Sequence, residues 1–469
     1  MNLKLIILSI LLVSQTMMAQ TDSCHIQFKV DGMKEGKVKI IGVFADQNYI
    51  ADSTVITGNE GRFEIKRLHP LKPGYFYVIL PDFTNFHMII DKDQHFSMTT
   101  STKDLIFKMH IKGSRDNELL YQSLTLQLRH EEIQDSCKKV LELHPNNEVV
   151  SKSIDSIYNI LNTAWKLHLS DLAKHDPNLF FTKYKLAGQN PDASAYKKAK
   201  NDEEKNQQLE QFRSAFWDNV DLNDARLLYT PVIVNKLKRF ITELTPQHPD
   251  SIIRQADIII NKSLVNKEMF QFISSWIVLK YQPTKTAVMG GESIFVHVIN
   301  TYFTKELAYW YNEKDLADIR KKAWEMEASL LFKIGPDVIS TDPNGNKKSI
   351  YELQSDYTIV FMYDTKCEHC QAETPLLREF YKKWKSKGVE VYAIAINAKE
   401  DEWKKFISDY QIHDWINVSD PTNRSIYAKY FVDITPELYV LNKDHKIIGK
   451  NLKVEQIPMV IEMDKTKKQ

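Results

Sequence analysis

The sequence predicts a multidomain chain: an N-terminal antiparallel β-sandwich over residues 23–117, an all-α helical region over 118–333, and a C-terminal α/β domain over 334–469. Three textures carry this reading. Short alternating runs between turn residues come first, then long stretches with apolar residues at three- and four-residue spacing, then strands alternating with helices after Gly335-Pro336-Asp337. A length of 469 residues also implies more than one domain. The 62 Lys and Arg balance 61 Asp and Glu, so a formal charge of +1 leaves no overall basic surface for a phosphate backbone, and nucleic acid is not an expected partner. Hydrophobic residues make up 43%, too many for disorder, and four cysteines are too few for a disulfide scaffold.

Residues 1–20 read as a secretory signal peptide. Lys4 gives a positive start, Leu5 to Val13 form an apolar run broken by Ser9, and Met17-Met18-Ala19 ends small. Cleavage is expected after Ala19 or Gln20. Thr21 and Asp22 argue against lipid anchoring at Cys24. The run is shorter than the roughly 20 residues a membrane-spanning helix needs, and no later stretch of that length lacks charges. The mature chain is therefore expected to be exported and to have no transmembrane segment after signal cleavage. An oxidising compartment permits disulfides and requires enzymes that manage them.

In the first region His25 to Val30, Lys37 to Phe44, Ile50 to Ile56, Arg62 to Ile65, Tyr75 to Leu80, His87 to Asp91 and His95 to Thr99 read as strands. Asn59-Glu60-Gly61 and Lys72-Pro73-Gly74 supply turns. No titratable cluster implies chemistry there, so a structural or docking module is expected. In the second region Leu119 to Leu128, Val149 to Leu167, Lys205 to Phe216, Val232 to Leu244, Asp250 to Leu264, Lys267 to Tyr281, Ile294 to Trp310 and Asp315 to Leu331 read as helices. Pro177, Pro191 and the polar stretch 197–204 mark a long loop. Tyr302, Tyr309, Trp310 and Tyr311 could line a groove, although such a stripe is more often core. Met289-Gly290-Gly291 reads as a flexible connection.

In the third region Asp342-Pro343-Asn344-Gly345 turns between short strands. Thr358 to Tyr363 and Val391 to Ile396 are continuous runs of buried-strand type, with a helix from about Cys367 to Lys387 between them and Gly388 as its stop. Helices follow at about Lys399 to Tyr410 and Pro421 to Tyr430, then strands Glu437 to Leu441 and Lys446 to Ile448, and a final helix from Val454.

Cys367-Glu368-His369-Cys370 follows the first strand and opens the helix of that βαβ unit. In this context C-x-x-C is a redox motif rather than a zinc site. Two intervening residues on a first helical turn bring the sulfurs together, and the helix N-terminus favours a thiolate at Cys367. Protonated His369 adds to that effect and Glu368 opposes it.

With this motif the last third of the chain, from about Ile334, resembles the thioredoxin-like superfamily, and within it the exported TlpA-like or ResA-like thiol-disulfide oxidoreductases. Pro375 lies where thioredoxins place a helix-kinking proline. Thr435-Pro436 precedes a strand, where they place a cis-proline loop that faces the substrate. The resemblance implies that Cys367 is the nucleophile, that Cys370 resolves the mixed disulfide, and that Thr435 and Pro436 bind substrate. No Gly-rich phosphate loop, Ser nucleophile elbow or H-E-x-x-H metal helix appears, so no organic cofactor is expected, the dithiol itself carrying the electrons, and no metal is expected. The partners the resemblance implies are protein dithiols or disulfides and an upstream thiol electron donor. Reduction is the favoured direction. The sequence departs from the family at two points: Phe361 replaces the buried carboxylate six residues before the first cysteine, leaving Asp364 as the nearest acid, and Lys366 replaces the aromatic residue before Cys367 and would favour the thiolate. A peroxiredoxin, a related enzyme on the same superfold, is not expected, because that family wants Pro and Thr seven and three residues before its peroxidatic cysteine, where this chain has Val360 and Asp364. The first two regions resemble extensions ahead of thioredoxin domains in secreted bacterial proteins, which implies the periplasm of a bacterial envelope.

The alternative is a non-catalytic or metal-binding envelope protein that uses the C-terminal domain for docking, with Cys367, His369 and Cys370 as at most three ligands. Cys24 and Cys137 either pair or remain single. The helical region is a candidate contact for a homodimer.

Overall fold

In the computed structural model, residues 23–467 are described, apart from 195–197, 284 and 433; the expected signal peptide lies outside them. The chain divides into two compact units, Met1–Leu237 and Lys238–Gln469. The break falls inside the helical stretch, so its earlier helices go with the N-terminal strands and its later ones with the C-terminal sheet.

The first unit opens with β1 (Cys24–Asp31), β2 (Gly36–Phe44), β3 (Gln47–Ile56), β4 (Arg62–Arg67), β5 (Gly74–Ile79), β6 (Asn85–Ile90), β7 (His95–Ser101) and β8 (His110–Lys112). They form two four-stranded sheets, β4-β1-β7-β8 and β3-β2-β5-β6. The alternating pattern of β1 buries Cys24, Ile26, Phe28 and Val30, and Phe28 reaches Phe86 of the other sheet at 6.0 Å. The expectation of an all-antiparallel sandwich is corrected at one pair, because β1 and β7 run parallel, from His25 beside His95 to Asp31 beside Ser101. Local alternation fixes which face is buried but not the direction of a partner 70 residues away.

Helices α1 (Arg115–Leu143), α2 (Glu148–His175), α3 (Phe180–Ala187), α4 (Asp202–Ala215) and α5 (Val232–Lys238) follow. α1 runs well beyond the expected Leu128. Past Ser123 its only buried residue is Cys137, so the apolar period fades while strong helix formers carry the helix on. Asn117, fully buried on α1, accepts from the Ile89 N–H at 2.8 Å and donates to the Ile89 carbonyl at 2.7 Å. It thereby satisfies both backbone groups on the open edge of β6. Asn117→Leu is expected to leave both orphaned, at about 1–3 kcal/mol each. Urea melts of the two proteins check this: a change below about 1 kcal/mol would show that the edge is satisfied in another way. Cys24 and Cys137 are both free and buried, so the expected alternative of a bridge between them is not realised.

The second unit contains α6 (Pro249–Ser263), α7 (Lys267–Lys280), α8 (Glu292–Tyr302) and α9 (Glu313–Glu327). α8 stops at Tyr302 rather than Trp310. Thr304 takes the chain into a new turn, its hydroxyl accepting from Leu307 N–H and its carbonyl from Ala308 N–H. Tyr309, Trp310 and Tyr311 therefore do not share a helical face with Tyr302; Trp310 meets Phe270 and Phe303 edge to face.

The C-terminal sheet is β10-β9-β13-β12-β11-β14-β15. Its strands are β9 (Ile339–Thr341), β10 (Lys347–Ser349), β11 (Tyr357–Tyr363), β12 (Val389–Ile396), β13 (Ile416–Asp420), β14 (Glu437–Asn442) and β15 (Ile447–Gly449), and its helices are α10 (Glu368–Trp384), α11 (Glu400–Asp409), α12 (Arg424–Tyr430) and α13 (Ile457–Lys467). β11, β12 and β13 are parallel, and β14 lies antiparallel to β11. β13 was not expected. It is five residues long, and its Asn417 is buried because it donates to the Ile412 and Trp415 carbonyls, so no apolar run marks it. Every residue of β11 is buried, with Phe361 and Tyr363 towards α10 and α11 and Val360 and Met362 towards α12, as a strand covered on both faces requires. Gly388 ends the turn after α10 at φ 81°.

Candidate active site

The end of β11 leads through Asp364-Thr365-Lys366 to Cys367, the N-cap of α10. The turn is held by Cys367 N–H on the Asp364 carbonyl (3.2 Å) and by Lys366 N–H on the Asp364 carboxylate (2.8 Å). Asp364 is thus a turn-forming residue. Cys367 is half-buried, its Sγ accepts from Cys370 N–H at 3.4 Å, and its thiol donates to the Thr435 carbonyl at 3.3 Å. The Thr435-Pro436 peptide is cis. Cys370 lies one turn on, fully buried in the core of the α10 side. Thr374 donates its hydroxyl to the Cys370 carbonyl just before Pro375, which can give no backbone bond inside the helix.

The two thiols are driven apart in acidity. Burial opposes ionisation of Cys367, but hydrogen bonds from the Cys370 thiol, the Thr435 side chain and the backbone N–H groups of Cys370 and His369 outweigh it and hold its pKa below the ordinary 9.0. Burial and the proton shared towards Cys367 push Cys370 up to about 12. Iodoacetamide is therefore expected to modify Cys367 with a midpoint below pH 9.0 and to spare Cys370 below about pH 12. Equal reactivity of both thiols at neutral pH would contradict that order. The linkage has opposite signs. The depressed Cys367 contributes stability above its unfolded pKa that is lost as pH falls through its folded value; the raised Cys370 contributes stability below 9.0 that is lost as pH rises towards 12.

Of the residues expected to modulate the dithiol, Glu368 and His369 are exposed, and Lys366 turns its ammonium to Glu402 at 3.0 Å. Phe361 stacks on Tyr363 at 5.3 Å, and Tyr363 in turn on Phe406 at 4.8 Å, so an aromatic stack occupies the sheet face behind Cys370. Pro436 and His369 line a cleft of about 490 Å³. Its floor holds residues that no motif had marked. Glu437 and Tyr439 of β14 are buried, and buried Lys450 reaches Glu292 at 2.5 Å and the Ser329 carbonyl at 2.9 Å. Met289 and Gly290, expected only as a connection, stand in the cleft wall. Among the described residues no group of three or more His, Cys, Asp or Glu side chains is placed to hold a metal.

A central sheet with a dithiol at the N-terminus of α10, facing a cis-proline loop, defines a thioredoxin-like domain. Residues 332–450 match the AhpC/TSA family, and residues 24–120 match a domain of unknown function, DUF4369. The C-terminal segment is similar to the thiol-disulfide oxidoreductase ResA of Bacillus cereus, 28% identical over 126 residues, which is 27% of this chain and 72% of that protein. It is similar to ResA of Bacillus subtilis at 26% identity over 113 residues, 24% of this chain and 62% of that protein. It also resembles the solved domain of a possible thiol-disulfide isomerase from Cytophaga hutchinsonii, with 39% identity, 30% of this chain and 96% of that chain covered, and a TM-score of 0.28. By its C-terminal domain the chain is an oxidoreductase of the thioredoxin-like class, with an N-terminal DUF4369 module.

Proposed function

We propose that the chain is an exported thiol-disulfide oxidoreductase of a bacterial periplasm that reduces disulfides in envelope proteins through Cys367 and Cys370. The observation that carries this is the pairing of a half-exposed, acidified Cys367 with a buried Cys370 that keeps its proton. The Cys367 thiolate attacks one substrate sulfur; the Cys367–sulfur bond forms, the substrate disulfide breaks, and one substrate thiolate leaves. Cys370 then gives up its proton, to the departing thiolate, and attacks Cys367 Sγ. The second substrate sulfur leaves, two electrons have passed to the substrate, and an upstream dithiol donor reduces the new Cys367–Cys370 disulfide.

Thr435 and Pro436 receive the substrate backbone in this reading, supported by the 3.3 Å approach of the Thr435 carbonyl to Cys367. Glu368, His369 and Lys366 tune the potential from the exposed side. Export rests on residues 1–20, and among the described residues no helix is long and apolar enough to cross a membrane. Burial of Cys24 in β1 is consistent with an unlipidated thiol. A homodimer through the helical region belongs to the same reading, supported by exposed Val149, Ile160 and Leu167 on α2. Turnover of a protein disulfide with dithiothreitol as donor tests the activity: wild type is expected to be active and Cys367→Ser to fall to the uncatalysed rate, whereas residual exchange in Cys367→Ser would refute the assignment.

A further inference from the structure

The cleft beside the dithiol has a wall that the thioredoxin-like domain does not supply. The cleft is lined by His369, which lies between the two cysteines in sequence, and by Pro436, next to the Thr435 whose carbonyl meets Cys367, together with the segment 286–290 and Glu292 at the start of α8. That wall is fastened from below. Lys450 lies under it, 5% exposed, between the Glu292 carboxylate at 2.5 Å, the Ser329 carbonyl at 2.9 Å and the Tyr439 ring at 4.9 Å. A second fastening is steric. Gly290 has φ +71°, and a Cβ there would stand 2.8 Å from the Leu331 side chain, so the turn lies flat on the residues after α9. A charge pair this deep is a poor source of stability compared with apolar packing, and its best-attested use is to fix one arrangement among several.

We propose that this segment is the specificity wall of the dithiol site, read by the residues that flank a substrate cysteine, and that Lys450 and Glu292 are its positioning residues. The inference rests on the thiol-exchange reading above and adds to it the segment that sets substrate preference. A cleft of about 490 Å³ admits a few residues of chain on either side of a substrate cysteine. Interactions with residues flanking the substrate cysteine then contribute to binding rather than to sulfur chemistry.

The full-length chain is assayed with two oxidants, an unstructured peptide carrying a mixed disulfide and glutathione disulfide. Two variants are compared with wild type. Glu292→Leu/Lys450→Met removes both charges together, and Met289→Trp crowds the cleft without touching the pair. Both are expected to raise the peptide KM about tenfold with kcat within about twofold, while kinetics with glutathione disulfide and the redox potential of the dithiol stay at wild-type values. An unchanged peptide KM in both variants, or an equal loss with both oxidants, would overturn the wall while leaving thiol exchange standing. A wild-type chain that exchanges with neither oxidant would remove the thiol-exchange reading itself, and the wall with it.

Discussion

Cys370→Ser is expected to turn the chain into a trap for its substrates, with steady-state turnover lower by about 10³ or more. Attack needs only Cys367, whose thiolate remains favoured by the N-terminus of α10, by Thr435 and by the backbone N–H groups of Cys370 and His369. Release needs a second sulfur one helical turn away. A serine hydroxyl at 370 cannot displace the substrate from Cys367 Sγ, so covalent adducts accumulate. Non-reducing gels of the variant incubated with a protein disulfide should show them, and reduction should dissolve them. The reciprocal Cys367→Ser should give none, because Cys370 is fully buried and holds its proton to about pH 12. Equal adduct formation by both variants would mean that the two cysteines do not divide the work as their burial implies.

The second large effect concerns folding. Lys450→Met leaves the Glu292 carboxylate, 6% exposed on its side chain, facing an apolar group. Removing one partner of a buried pair costs about 3–5 kcal/mol, whereas replacing both with apolar groups of similar volume is near neutral or stabilising. Lys450→Met alone is therefore expected to lower the urea midpoint sharply, and adding Glu292→Leu to restore most of it. The contrast decides more than either value. If both variants lose stability equally, Lys450 matters for its packing on Tyr439 and its bond to Ser329, not for the charge it neutralises.

What the sequence revealed of this molecule was local. Cys367 and Cys370 announce themselves by spacing after a buried strand, Gly388 by its place after a helix, and Pro436 by its place before β14. Each depends on a few neighbouring residues. The features that were missed depend on partners far along the chain. Lys450 stands between Gly449 and Asn451 with no motif around it, and only the arrival of Glu292 and Ser329, more than 100 residues earlier, makes it a buried cation. Glu437 likewise begins an apolar strand, and its burial follows from the antiparallel pairing of β14 with β11, where it stands opposite Met362. The parallel pairing of β1 with β7 was hidden for the same reason, because register and direction are tertiary choices that a one-dimensional pattern does not encode, whereas β13 was hidden by its shortness and its buried Asn417. α8 was overextended because Phe303 and the aromatics after Tyr302 continue an apolar period, whereas Thr304, a single residue, turns the chain.

The central claim is that Cys367 and Cys370 form one reversible two-electron couple. A redox titration of the mature chain against defined thiol buffers, with free thiols alkylated and counted by mass, measures it directly. The account predicts that both thiols disappear together, with a midpoint near the roughly −270 mV of a reducing thioredoxin. A midpoint at about −120 to −180 mV would contradict the reducing direction, and the absence of any reversible couple would contradict the claim itself.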